Sequence, residues 1–134
     1  MKRALEFLQE SRTFYLATTE GDQPRVRPFG AVFEYEGKLY IVTNNKKECF
    51  KQMLENPKVE ISAMNKGKWI RIAGEVAHDD RHEVKELALE TIPSLKSMYS
   101  IEDGVFAVLY FTKGTATISS FAGEPETFSL YTNQ

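Results

Sequence analysis

A single cysteine, Cys49, stands in this chain of 134 residues. One thiol cannot close a disulfide within the chain, nor can it supply the cysteine cage of a structural zinc site. Histidine is nearly as scarce, with His78 and His82 the only two. With Asp79 and Asp80 between them, they fit a solvated strand–helix junction better than a zinc site, Asp80 serving as a helix N-cap. No metal site and no catalytic thiol are expected. Long apolar runs are missing too, and the opening MKRALEFLQE is amphipathic and charged. The expectation is no signal peptide, no membrane span and, by default, a cytoplasmic location. A net charge of −2 argues against a general nucleic-acid binder, whose affinity rests on a basic surface that neutralises phosphates.

What the chain does have is a composition close to that of a soluble globular domain, of a length that suits one domain. Such a domain has little room for a deep pocket of its own, so a ligand site at a subunit interface is a natural expectation. Charge is distributed unevenly. Residues 24–51 carry +3, which leaves −5 for the remainder. A local excess of that size suits one small anion better than a polyanion.

Periodicity lays out the elements. Residues 2–10 read as a short amphipathic helix and 13–19 as a strand, with a turn at 20–23. Residues 25–35 read as one long strand interrupted by Pro28 and Gly30, a place where a ligand or another backbone comes close. A hairpin turn at 36–37 returns the chain through a strand at 38–43. A helix at 45–55 stops at Asn56–Pro57, and strands follow at 58–65 and 68–77. A helix opens at Asp80 with Glu83 in capping-box position, breaks at Pro93 and gains a further turn over 94–99. Strands are expected at 104–112 and 115–121, separated by a turn at 113–114. Met53, Met64 and Met98 read as core filler. The sum is six or seven strands joined mostly by short turns. That is a mainly β, antiparallel fold with peripheral helices, most economically a small barrel. Residues 1–122 form the single domain, and 123–134 a loose polar tail.

Arg27, Thr43, Asn44, Lys46 and Lys47 can converge on one anion. A phosphate monoester carries about −1.5 to −2 charge near neutral pH and calls for cationic donors, hydroxyls and free backbone N–H groups. A helix N-terminus supplies the last of these, with a favourable dipole. Two lysines at a helix start are mildly unfavourable by that same dipole, so their presence asks for a reason; the plain alternative is that they are solvated.

The segments RVRPFG, KLYIVTNNKK, QMLENPKVEIS and KWIRIAGEV, in that order, resemble the pyridoxamine-phosphate-oxidase-like flavoproteins, the FMN-binding split barrels. The likeness is strongest to small bacterial members described as nitroimidazole-resistance-like or general-stress-like. It implies a six-stranded antiparallel split β-barrel and a homodimer with FMN in clefts at the interface. By the resemblance, Arg27, Lys46 and Lys47 hold the phosphate, Thr43 and Asn44 add hydrogen bonds, and Pro28, Phe29 and Val42 shape the ring site. Lys46 stands where the family has Arg, and Asn45 where it has Ser, in a shorter loop. Trp69 either lies against the flavin's edge from the partner subunit or is a core or interface aromatic.

The implied function is an FMN-dependent oxidoreductase acting on a small molecule, with the flavin carrying the electrons and no acid–base residue nominated. Pyridoxamine-phosphate oxidation itself is not expected, because the ending FAGEPETFSLYTNQ has no Arg, Lys or His to grip that substrate. Two rivals remain open. One is a non-catalytic flavin or haem binder or sensor, with His78 or His82 as axial ligand. The other is a deazaflavin-dependent reductase on the same barrel.

Overall fold

A computed structural model describes residues 1–131. Its elements in chain order are α1 (Lys2–Ser11), β1 (Phe14–Glu20), β2 (Gln23–Phe29), β3 (Val32–Tyr35), β4 (Lys38–Asn44), α2 (Glu48–Glu55), β5 (Lys58–Asn65) and β6 (Lys68–Asp79). Then come α3 (His82–Thr91), a 3₁₀ segment (Pro93–Ser97), β7 (Phe106–Ser120) and β8 (Glu126–Ser129). All pairings are antiparallel, in the order β2-β1-β5-β6-β7-β4-β3, with β8 added to β7. The edge strands β2 and β3 are consecutive in the chain but do not pair, so the barrel is split rather than closed.

The hairpins form where expected. Glu36–Gly37 and Lys66–Gly67 both have positive φ at their two central residues, the backbone that matches the twist of the flanking strands. Alternation in β5 buries Val59, Ile61 and Ala63 and exposes their neighbours. Two apolar clusters result. One fills the barrel, joining Leu16, Ile61, Ile72 and Phe111 with Leu8 of α1 and Met53 of α2. The other lies on the opposite face of β4 and β7, where Val84 and Ala88 of α3 and Leu95 pack on Tyr40, Val42, Phe106 and Val108.

Four expectations change. The long strand at 25–35 divides into β2 and β3 around Gly30 and Ala31. The supposed turn at 113–114 is the interior of β7. Gly114 lies opposite Gly74, where a Cβ would sit 2.3 Å from the Lys113 carbonyl oxygen, so these glycines permit a close crossing beside the Glu75/Val76 bulge. The tail is not loose: β8 pairs with β7, and Leu130 and Tyr131 are buried. Residues 132–134 of that expected tail lie outside the described residues. Asp80 does not cap α3, whose N-cap is Arg81 without a side-chain cap bond. Its backbone N–H bonds instead to Asp79 Oδ1 at 3.1 Å, because Asp79 is the buried carboxylate of the pair. Among the described residues no helix is long and apolar enough to cross a membrane.

Candidate functional site

A cavity of about 290 Å³ opens between three parts of the chain. The β2–β3 junction gives Pro28, Phe29, Gly30 and Ala31. The end of β4 gives Val42 and Thr43, with Lys47 beside them. Ile92, Ser94, Leu95, Met98 and Tyr99, after α3, form the remaining wall. The junction backbone is exposed to the cavity because Pro28 has no N–H for a ladder and the chain leaves strand geometry at Gly30.

The polar groups at the end of β4 are fixed by local bonds. Asn44 Nδ2 donates to the Tyr99 hydroxyl at 3.0 Å, which ties the far wall to the strand end. Asn44 Oδ1 accepts the Lys46 backbone N–H at 3.0 Å. Asn45 Nδ2 donates to the Gly104 carbonyl at 2.9 Å, while its Oδ1 is buried without a partner among the described residues. Thr43 is buried, with Oγ1 3.7 Å from Cys49 Sγ. Helix α2 starts later than expected, at Glu48, because residues 45–47 form the turn that these bonds hold. Lys47 is its N-cap and supplies no side-chain cap, since an ammonium can accept no hydrogen bond. The Phe50 N–H is taken by the Lys47 carbonyl at 3.2 Å, which leaves the Glu48 and Cys49 N–H groups of the first turn open to an outside acceptor. Both Lys46 and Lys47 are exposed.

Five of the nine nominated residues, Pro28, Phe29, Val42, Thr43 and Lys47, line this cavity. Arg27, Asn44 and Lys46 adjoin it in sequence. Trp69 does not belong to it within one chain: its ring packs on Phe121, centroids 5.0 Å apart. Pro28, the cavity wall nearest to it, lies three strands across, in the row Pro28–Tyr15–Ser62–Arg71, and Trp69 is two residues along β6 from Arg71. At about 4.8 Å between strands and about 3.3 Å per residue, Trp69 sits roughly 16 Å from that wall.

The wall from Ile92 to Tyr99 was missed by sequence reasoning. Met98, taken as core filler, is 63% exposed at the cavity, and Met64 is exposed elsewhere, whereas Met53 is core. The one signal for this wall was the helical turn after Pro93, which gave no direction. His78 and His82 do not line the cavity. The first is edge-on to Phe50 with centroids 5.0 Å apart, and the second faces Glu86 and Glu102 at 3.8 and 3.6 Å.

A second cleft, of about 430 Å³, includes Tyr40, Asp79, Arg81 and Glu36. Here the charges satisfy one another. Tyr40 donates to Asp79 Oδ2 at 2.6 Å, and Arg81 Nη2 reaches Asp79 at 2.9 Å and Glu36 at 2.7 Å. Burial pushes the Asp79 carboxyl upward, but the bonds from Arg81 and Tyr40 outweigh it and hold the group down at about 2. Burial and the bond to Asp79 push the Tyr40 hydroxyl well above its ordinary value. This is a neutralised structural network rather than an anion site.

Comparison with known proteins agrees with the architecture. A NimC/NimA family protein from Clostridium acetobutylicum is 78% identical, covering 96% of this chain and 91% of that one, with a TM-score of 0.95. A pyridoxamine 5'-phosphate oxidase-related, FMN binding protein from Nostoc punctiforme is 15% identical, covering 96% of this chain and 93% of that one, with a TM-score of 0.60. A heme binding protein from Mycobacterium smegmatis is 14% identical, covering 92% of this chain and 57% of that one, with a TM-score of 0.71. The last two likenesses establish the fold alone. No curated protein sequence matches the chain. Residues 1–117 match the sequence model described as pyridoxamine 5'-phosphate oxidase, so the chain belongs to that family, in the split-barrel form that its sheet displays.

Proposed function

We propose that this chain is an FMN-binding flavoprotein that works as a homodimer and transfers electrons to or from a small molecule. The observation that carries the reading is the uncapped start of α2, flanked by Lys46 and Lys47, opening beside a largely apolar cavity. The donor set suits a phosphate monoester: two ammonium groups, the Thr43 hydroxyl and free first-turn N–H groups on the positive end of the helix dipole. Pro28, Phe29 and Val42 give that side of the cavity an apolar lining for a ring. Bound FMN would supply electron transfer in one- or two-electron steps. The protein's share is to hold the phosphate, orient the ring and keep water out with Leu95 and Met98. No histidine lines the cavity, so the haem reading has no axial ligand there.

Two features favour a second copy. At about 290 Å³ the cavity falls just short of the roughly 300–1,000 Å³ usual for ligand pockets. Beside it, the outer face of β2, β1, β5 and β6 leaves Val26, Pro28, Tyr15 and Met64 exposed, with Trp69 on the same face by register. Pro28 belongs to both this face and the cavity. A second protomer seated on the face would enlarge the cavity and bring its own Trp69 near the ring.

Titration of the full chain with FMN and with riboflavin tests this. FMN should bind with flavin-type visible bands and more tightly than riboflavin. Replacing Lys46 and Lys47 together with Ala should cost FMN about a hundredfold, as two charge-assisted hydrogen bonds would, and riboflavin little. Equal losses for the two ligands would remove the lysines from the site. A single sharp intense band on the purified protein would replace flavin by haem.

A further inference from the structure

The phosphate reading above leaves one question open, namely what aims Arg27. Its side chain lies on the inner face of β2, where Arg27 pairs with Leu16 of β1. Nη1 donates to Thr18 Oγ1 at 2.8 Å, and Nη2 donates to Gln52 Oε1 at 2.8 Å. The Thr18 hydroxyl donates in turn to Gln52 Oε1 at 2.6 Å, closing a three-membered ring of hydrogen bonds between β1, β2 and α2. Nη1 also reaches the Leu16 and Arg25 carbonyls at 3.2 and 3.4 Å.

Two properties of this ring point to a ligand. Every partner of Arg27 is neutral. Among the described residues it forms no ion pair, although the half-exposed Arg81 forms two. The positive charge is thus held in place without being cancelled. Secondly, the acceptors on Thr18 and Gln52 are 2.6 Å apart, so they take the terminal Nη1–Nη2 edge of the guanidinium together. The Nε N–H has no partner among the described residues, and with the second Nη2 proton it forms the side edge. That edge has the fork geometry that grips two oxygens of one phosphate or carboxylate.

We propose that Thr18 and Gln52 are positioning residues that lock Arg27 with its Nε–Nη2 edge turned to the cofactor's phosphate. Both are buried polar side chains, a placement that costs stability unless each is hydrogen-bonded, and an apolar pair would fill the same space more simply. Their placement is accounted for if the guanidinium has to be fixed before the ligand arrives, which lowers the entropy lost on binding. The ring adds no charge of its own, so it acts on geometry alone.

The test is the ratio of FMN to riboflavin affinity, measured on the full chain for the wild type, Gln52→Met, Thr18→Val, Thr18→Ser and the Lys46→Ala/Lys47→Ala double variant. A ratio reads only the folded fraction, and two independent positions guard against one variant failing to fold. Gln52→Met and Thr18→Val should each lower the preference for FMN about tenfold, the size of one charge-assisted hydrogen bond. Thr18→Ser keeps the hydroxyl and should keep the preference. If Gln52→Met and Thr18→Val weaken both ligands equally, or leave both unchanged, while the double lysine variant abolishes the preference, the positioning role is overturned and the phosphate site stands. If the wild type does not prefer FMN to riboflavin, the phosphate site and the positioning role fall together.

Discussion

Arg27 and Arg81 are each anchored by several hydrogen bonds to neighbouring strands, yet their surroundings differ in charge. Arg81 meets two carboxylates, Asp79 and Glu36, and its guanidinium is held well above its ordinary pKa by those bonds. Arg27 meets a hydroxyl, an amide oxygen and two backbone carbonyls. The first arginine is consumed by the fold: it fastens the β3–β4 turn to the start of α3. The second is oriented by the fold and left charged beside the β2–β3 junction that lines the cavity. An arginine's role is therefore read better from the charge of its partners than from their number, since a neutralised guanidinium has little left to offer an anion.

The sharpest way to separate the two is to remove Asp79. Asp79→Ala leaves the buried Tyr40 hydroxyl without its acceptor and should destabilise the protein by about 1–3 kcal/mol, the cost of an unsatisfied buried polar group, with the half-exposed Arg81 adding little. Denaturant unfolding gives the loss, and the FMN-to-riboflavin ratio should not move. Acid carries the same information. The Asp79 carboxyl is held at about 2 in the folded chain, against about 3.9 when unfolded. A group depressed on folding contributes its stability above its unfolded pKa and loses it as pH falls towards the folded one. Wild-type stability should therefore fall between about pH 4 and pH 2 through this group, and Asp79→Asn should flatten that part of the acid limb. A loss of FMN preference in either variant would join the two networks and undo the contrast.

Next in size is Arg27→Lys. It keeps the charge and discards the fork, so FMN should weaken about tenfold while riboflavin holds, and Arg27→Ala should lose several times more. Stability should change less than in Asp79→Ala, because Thr18 and Gln52 still bond to each other at 2.6 Å. An Arg27→Lys variant with unaltered FMN affinity would mean that charge alone is used at this position.

Much of this is legible in the sequence. Hairpins at Glu36–Gly37 and Lys66–Gly67 follow from local turn chemistry, and the alternation of β5 fixes which side faces the core. Of the residues that line the cavity, Pro28 is marked locally by backbone interruption and Thr43 and Lys47 by strand-end polarity, whereas Phe29 and Val42 rest on the family resemblance. What stayed hidden depends on distant partners. Lys113–Gly114 reads as a turn until Gly74 is placed opposite it. Residues 126–131 look like a polar tail until β7 offers an edge and Tyr131 finds the Phe111 carbonyl and Leu39 N–H at 2.7 and 3.0 Å. Thr18 and Gln52 look like ordinary polar positions on a strand and a helix, and only the packing of α2 on β1 makes them neighbours of Arg27. The cavity wall from Ile92 to Tyr99 had a recognisable helical turn but no direction.

The smallest effect tests whether the Arg81 network is one unit or two. Glu36→Gln removes the exposed carboxylate and leaves Asp79 in place. Glu36 and Arg81 are about half exposed, 56% and 45%, so solvent screens the pair and its short 2.7 Å distance is a poor guide to its worth. Gln can still accept a hydrogen bond from Arg81, and the Glu36 backbone, already at φ 52 in the hairpin turn, is asked for nothing new. The denaturation midpoint should stay where it is, in low salt and in high salt. A clear drop that high salt erases would show that Glu36 shares the work of Asp79, with Arg81 polarised by both carboxylates as a single network. Arg81 would then be more completely neutralised than one buried partner makes it, and the distance between it and the uncancelled Arg27 would widen.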